Sequence, residues 1–267
     1  MMTENRLRRI LQEKKSSVST RIWSSTPFCT EALAAVGTYD YMEFVAEYAP
    51  FDQYALENLC RAAELYNMGS MIKIDLQNRA YVAQKAVASG FQAINFADHR
   101  TPDEVRESIN TIHPLVEGTS GLYGCPKRRF ISSPNGVSQT DHIKRLNDIV
   151  LCFMIEKNEA MENIEEICSI PGVDMVQFGP SDYCMSRGWS REGHEAEFKA
   201  AERRMIETAL KHGVQPRCEI QTPEEAQYYI DLGVKHFSLG DEMSILLKYW
   251  RDEGTKMKAI TRTLEQP

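Results

Sequence analysis

Eight short runs of β-forming residues alternate with helix-patterned segments along most of the chain, and this alternation constrains the fold more than any other feature. The runs cover 18–23, 41–47, 71–74, 93–97, 150–155, 175–178, 215–220 and 236–239. Helical patterns follow them near 30–36, 54–67, 79–89, 102–112, 160–168, 196–212, 223–232 and 241–250, and Thr101 stands where an N-cap is needed. Strands separated by helices pair in parallel, and eight is the number that closes such a sheet into a (β/α)8 TIM barrel. A doubly wound open sheet is the alternative, but no GxGxxG or GxxxxGK[ST] run marks a nucleotide-binding crevice.

At 267 residues, with 42% apolar content, the chain can build the core of one such barrel. We expect a single domain over 1–267, with an amphipathic helix starting near Thr3 and a helical extension at the C-terminus. The rhythm breaks after Leu115, in VEGTSGLYGCPKRRFISSPNGVSQTD, whose Gly, Pro and Ser content marks a long loop. Thirty-one basic against 38 acidic residues give a net charge of −7 with no long basic block, which argues against a nucleic-acid partner. No stretch approaches the roughly 18 to 20 apolar residues of a membrane span. The mixed charges of MMTENRLRRILQEKK lack the apolar region of a secretory signal. Seven scattered cysteines without a CxxC pair fit a reducing cytoplasm, and neither a zinc ribbon nor a disulfide framework.

Side chains at the C-terminal ends of barrel strands face the catalytic mouth. The fifth run closes as CFMIE at Glu156, and the sixth runs into Gly179-Pro180-Ser181-Asp182, with Asp182 lying 26 positions after Glu156. Neighbouring strands bring both carboxylates to one rim. Two carboxylates with open positions suit a hard divalent cation such as Mg2+ or Mn2+, leaving sites for water and a chelating substrate. The residues alone also allow a blander arrangement, in which Asp182 caps the following segment and Glu156 pairs with a lysine.

The segment MIEKNEAMENIEEICSIPGVDMVQFGPSDYCMSRG, Met154 to Gly188, resembles the HpcH/HpaI aldolase family of metal-dependent class II pyruvate aldolases. The family pattern is a strand ending in Glu, a helix, a Gly-Val-Asp turn, a strand ending Gly-Pro-x-Asp-Leu, and a later Gly. Here these are Glu156, Gly172-Val173-Asp174, Gly179-Pro180-Ser181-Asp182 and Gly188, with Tyr183 in place of Leu. EALAAVGTYDYMEFVAEYAP, ASGFQAINFADHRTPDEV and QTPEEAQYYIDLGVKHFSLGDEMSILL are similar to other units of the family, so the likeness spans roughly residues 18 to 250. The resemblance implies a divalent metal, Mg2+ or Mn2+ with Co2+ also possible, held by Glu156 and Asp182. It implies a small 2-oxo acid as substrate, its enolate stabilised by that metal and its carboxylate seated by backbone N–H groups of the Gly179-Pro180-Ser181-Asp182 turn. It further implies a homo-oligomer, a hexamer built as a trimer of dimers with exchanged C-terminal helices.

The chain departs from the family at several strand ends. Where the family's second strand ends Asp-Gly-Glu-His, with an Asp/His dyad for proton transfer, this chain reads Val45-Ala46-Glu47-Tyr48. A phenol with an ordinary pKa near 10 is a poorer base than imidazole. The family's enolate-clamping Arg falls on Lys73, which keeps the charge and loses the planar fork. Met154 replaces a Gln, and Ala97 replaces a Pro before Asp98-His99-Arg100, where His99 is a candidate substitute acid or base. His113 reads as structural. Gly121-Leu122-Tyr123-Gly124 corresponds to a Gly-x-Arg-Gly loop, and Lys127, Arg128 and Arg129 form either a cationic lid over a dianionic substrate or a solvated charge run.

The reading that follows is a (β/α)8 metal-dependent carbon–carbon lyase, cleaving or forming a 4-hydroxy-2-oxo acid through a pyruvate-type enolate. Glu156 and Asp182 hold the metal, Lys73 supports the enolate, Gly179, Pro180 and Ser181 seat the substrate, and Tyr48 or His99 moves the proton. An oxaloacetate-type decarboxylase, or a non-catalytic barrel binding a 2-oxo acid or metal, is the alternative.

Overall fold

The computed structural model describes residues 4–125, 129 and 137–265. Its elements run α1 (Arg6–Gln12), β1 (Ser17–Ile22), α2 (Pro27–Val36), β2 (Tyr41–Val45), α3 (Gln53–Leu65), β3 (Gly69–Ile74), α4 (Arg79–Ser89), β4 (Ala93–Phe96), α5 (Pro102–Ile112), α6 (Gln139–Asn147) and β5 (Val150–Ile155). They continue through α7 (Asn158–Glu162), α8 (Ile164–Ser169), β6 (Met175–Phe178), α9 (Pro180–Ser186), α10 (Glu195–Lys211), β7 (Gln215–Ile220), a 3-10 turn (Pro223–Glu225), α11 (Ala226–Asp231), β8 (His236–Asp241) and α12 (Glu242–Thr263). The eight strands pair in chain order, all parallel, and β8 closes on β1, so the sheet is the expected closed barrel.

The strands are buried on both faces, which is why they read as near-continuous apolar runs. Outward residues such as Phe44, Ile72, Phe96, Phe153 and Val176 pack beneath the helices. Tyr41, Met71, Ala93, Cys152 and Met175 form an apolar layer inside the N-terminal end of the barrel, closed from below by Leu7 and Leu11 of α1. Above it lies a polar layer. Arg217 and Glu43, both without solvent exposure, pair at 2.8 Å. Arg217 also donates to Tyr41, Gln177 and Ser19, while Asn95 donates to Glu43 at 2.8 Å.

Local signals fix several element ends. Thr101 forms a capping box with Glu104, and Gly37 ends α2 in a left-handed conformation. The helical pattern after β5 splits at Asn163 into α7 and α8, and α12 runs on to Thr263, beyond the pattern's apparent end at 250. No described helix is long and apolar enough to cross a membrane, and Cys29, Cys60, Cys152, Cys168, Cys184 and Cys218 form no disulfide.

Candidate active site

Glu156 is the first residue past β5, and Gly179 the first past β6. Ile155 pairs with Phe178 in the ladder just before them, so the two stand side by side at the C-terminal mouth. A Cβ on residue 179 would lie 2.5 Å from Glu156 Oε2 and 2.7 Å from Glu156 Cβ. The strand therefore ends in glycine because the Glu156 side chain occupies that space. Pro180 then starts α9 at a position that needs no N–H. The N–H groups of Ser181 and Asp182, in the first helical turn, have no intrahelical acceptor.

Glu156 is 1% exposed. Its Oε1 accepts the backbone N–H of Asp98 at 2.8 Å, and Oε2 makes no hydrogen bond among the described residues. Burial pushes its carboxyl up to about 7 against the opposing pull of Lys73. Asp98 reaches it from a left-handed backbone, φ +63°, a conformation that costs a non-glycine residue about 1–2 kcal/mol. Lys157 lies between the Asp98 carboxylate at 2.7 Å and the Asp182 carboxylate at 3.2 Å.

Lys73, on β3 in register with Val45, pairs with Glu47 at 2.5 Å and lies 5.4 Å from the Tyr48 ring centre. Burial would lower its ammonium pKa, but Glu156 and Glu47 outweigh burial and hold it above the usual lysine range. Tyr48 is 53% exposed and stacks on Trp23 at 5.4 Å between ring centres. Partial burial, with Glu47 adding to it against Lys73, pushes the phenol up to about 12. At neutral pH it keeps its proton.

Glu47, Glu156, Asp98 and Asp182 thus surround Lys73 and Lys157, four carboxylates to two ammonium groups. A divalent cation fits that formal charge deficit. The available donors are hard carboxylate oxygens, and Glu156, buried with one oxygen unengaged, is a suitable ligand. Among the described residues no group of three or more His, Cys, Asp or Glu side chains could hold a metal ion, so Glu156 and Asp182 would leave most coordination positions to water and substrate.

His99 lies elsewhere. It has no solvent exposure, its ring packs edge-on against the outward-facing Phe96 and Phe153, and Nε2 meets Ser108 of α5 at 2.8 Å and Arg79 at 3.0 Å. Burial, together with Arg79, lowers its pKa to about 3. It sits between sheet and helices, apart from Glu156 and Asp182. Arg129 pairs with Glu64 and donates to the Ser89 carbonyl, next to the starts of β3 and β4 at the barrel's opposite end. It belongs to no lid over the mouth, and Lys127 and Arg128 lie outside the described residues. Sequence reasoning singled out the Asp98-His99-Arg100 group but missed Lys157 and the Trp23 platform, although Trp23 directly follows β1 and Lys157 lies two residues past β5.

The model of the HpcH/HpaI aldolase/citrate lyase family matches residues 24–241. The chain is 26% identical over 232 residues to the hydroxypyruvate/pyruvate aldolase of Delftia acidovorans, covering 84% of this chain and 82% of that protein. Among solved structures, an HpcH/HpaI aldolase/citrate lyase family protein from Burkholderia cenocepacia superposes with a TM-score of 0.84, at 20% identity, over 96% of this chain and 100% of that one. A citrate lyase β subunit from M. tuberculosis, complexed with oxaloacetate and magnesium, matches with a TM-score of 0.59 at 12% identity, over 88% of this chain and 95% of that one. The chain belongs to the HpcH/HpaI aldolase/citrate lyase family, and by kind it is a carbon–carbon lyase.

Proposed function

We propose that this member of the HpcH/HpaI aldolase/citrate lyase family is a metal-dependent lyase of 2-oxo acids, working through a pyruvate-type enolate in aldol or retro-aldol chemistry of a 4-hydroxy-2-oxo acid. The observation that carries the reading is the buried Glu156 carboxylate packed on the bare Cα of Gly179, beside Asp182, in a site short of positive charge. Glu156 and Asp182 would hold Mg2+ or Mn2+, with Co2+ a further candidate, and the bound cation supplies Lewis acidity to the substrate oxygens.

The chain's own residues supply the rest. Lys73, kept charged by Glu47 and Glu156, stabilises negative charge developing on the enolate oxygen. The N–H groups of Ser181 and Asp182 receive the substrate carboxylate, and Gly179 and Pro180 shape that turn. Tyr48 holds its proton at neutral pH and so acts as a donor to the enolate or to the partner aldehyde. The buried His99 has no part in proton transfer.

A second reading, decarboxylation of an oxaloacetate-like acid, is favoured by Val45. It lies beside Lys73 in the sheet, where the related dyad carries a carboxylate, and loss of CO2 forms an enolate without a base. α12 supports a homo-oligomer: none of its 22 residues is buried, and Met243, Leu247, Trp250, Met257 and Ile260 form an exposed apolar stripe that we assign to a second copy. That Cys29, Cys60, Cys152, Cys168, Cys184 and Cys218 form no disulfide supports a cytoplasmic location.

The test is proton exchange into pyruvate in D2O, followed through the methyl signal by NMR, with Mg2+ or Mn2+ and in parallel with EDTA. Metal-dependent exchange that disappears in Glu156→Gln supports enolate chemistry at this site. No exchange above the metal-only control refutes pyruvate deprotonation. CO2 release from oxaloacetate by the same sample would then select the second reading, and absence of both would leave a binding barrel.

A further inference from the structure

We infer that Lys157 is an internal competitor for the metal site, holding Asp182 when the cation is absent, with Asp98 as the anchor that retains it when the cation arrives. The inference rests on the reading of Glu156 and Asp182 as metal ligands.

Glu156, Lys157 and Asp98 form a closed circuit, and Asp182 joins it through Lys157. Lys157 directly follows Glu156 and is the N-cap of α7, so its backbone is fixed beside the proposed ligand. Its ammonium is largely buried and touches both Asp98 Oδ1, at 2.7 Å, and Asp182 Oδ1, at 3.2 Å. The Asp98 N–H returns to Glu156 Oε1 at 2.8 Å. Asp98 therefore contacts one proposed ligand through its backbone and the competing cation through its carboxylate. The left-handed turn at φ +63° lets one residue do both.

An ammonium and a divalent cation cannot share one carboxylate oxygen without strong like-charge repulsion. The longer of the two Lys157 contacts is the one to Asp182, so giving it up leaves the ammonium on its closer partner. Lys73 cannot take this role, because its ion pair is with Glu47. Asp98 then serves metal binding without being a ligand, as a positioning residue that draws the competitor away.

The experiment is a Mn2+ titration of the full chain, read by the EPR signal of free Mn2+, for wild type, Glu156→Gln, Lys157→Met, Asp98→Asn and the Lys157→Met/Asp98→Asn double variant. Asparagine tolerates a left-handed backbone and keeps the N–H that Glu156 accepts. Thermal melts check that each variant is folded, and Lys157→Gln replaces Lys157→Met should the latter not fold. We expect Lys157→Met to tighten Mn2+ binding about tenfold. Asp98→Asn should weaken it about tenfold in the wild-type background but no more than about threefold once Lys157 is gone, a non-additivity that simple charge removal does not produce. Equal Asp98→Asn effects in both backgrounds, or no tightening in Lys157→Met, overturn the role of Lys157 while leaving the metal site standing. Wild type that binds no Mn2+, or a Glu156→Gln variant that binds it equally well, removes the metal reading and this inference with it.

Discussion

A pH-dependent stability measurement on His99 separates a buried structural imidazole from a catalytic one. In the folded protein its pKa is lowered to about 3, chiefly by burial, from an ordinary 6.5. The group is folded in its neutral form, so its contribution to stability is complete above pH 6.5. That contribution is lost as pH falls from 6.5 toward 3, because only the unfolded chain takes up the proton. At pH 5 the unfolded imidazole is about 1.5 pH units below its pKa, which amounts to about 2 kcal/mol at 1.36 kcal/mol per unit. His236, lowered by burial to about 4, adds a loss of the same sign, so the comparison must be internal. Urea unfolding of wild type and His99→Gln at pH 8 and pH 5 should show wild type losing about 2 kcal/mol more than the variant over that interval. The imidazole proton signals of His99 should not titrate between pH 5 and 8, and the pH–rate profile should be the same in both proteins. Equal pH slopes of stability, together with a His99 resonance titrating near 6.5, would refute the buried placement and return His99 to the list of proton carriers.

Three further outcomes follow from the same geometry. Gly179→Ala drives a Cβ to 2.5 Å from Glu156 Oε2, so it should cost about 1–3 kcal/mol in urea melts and weaken Mn2+ binding at least tenfold; a variant with unchanged metal affinity would show that Glu156 does not need the bare Cα. Glu43→Gln leaves Arg217 charged and fully buried without its counter-ion, and should lower stability by about 3–5 kcal/mol by chemical denaturation. If the proposed homo-oligomer forms through α12, Trp250→Glu with Met257→Glu should give a smaller species than wild type in sedimentation experiments while circular dichroism stays that of a folded barrel; equal masses would remove α12 from the contact.

The barrel was legible because strands buried on both faces produce short apolar runs that helices must separate. β5, β6 and β7 lie where the sequence pattern puts them. Gly179-Pro180 was legible as a strand stop, though not as the start of α9, because a helix of seven residues carries too little periodicity to register. His99 was misplaced for a definable reason. Strict alternation from Asn95 through Ala97 turns residue 99 toward the barrel interior, but the positive φ of Asp98 breaks the pleat and sends the imidazole to the same side as Phe96. The Arg217–Glu43 pair could have been suspected from a charged residue at an inward position of β7 and another of β2, yet alternation gives no partner, and only closure of the sheet brings them together.

That closure also sets a schedule for biosynthesis. Ser17 of β1 pairs with His236 of β8, and the seam includes a contact between Ser17 Oγ and His236 Nδ1 at 2.8 Å across 219 positions of chain. At typical ribosomal rates of about 5–20 residues per second, one edge of β1 waits roughly 10–45 s for its partner strand to be made. During that interval the growing sheet presents an unpaired parallel edge, the kind of surface on which chains aggregate or trap one another. Yield in a heterologous host should therefore depend on translation speed and on chaperones that cover nascent edges, even for a variant whose finished barrel is as stable as wild type.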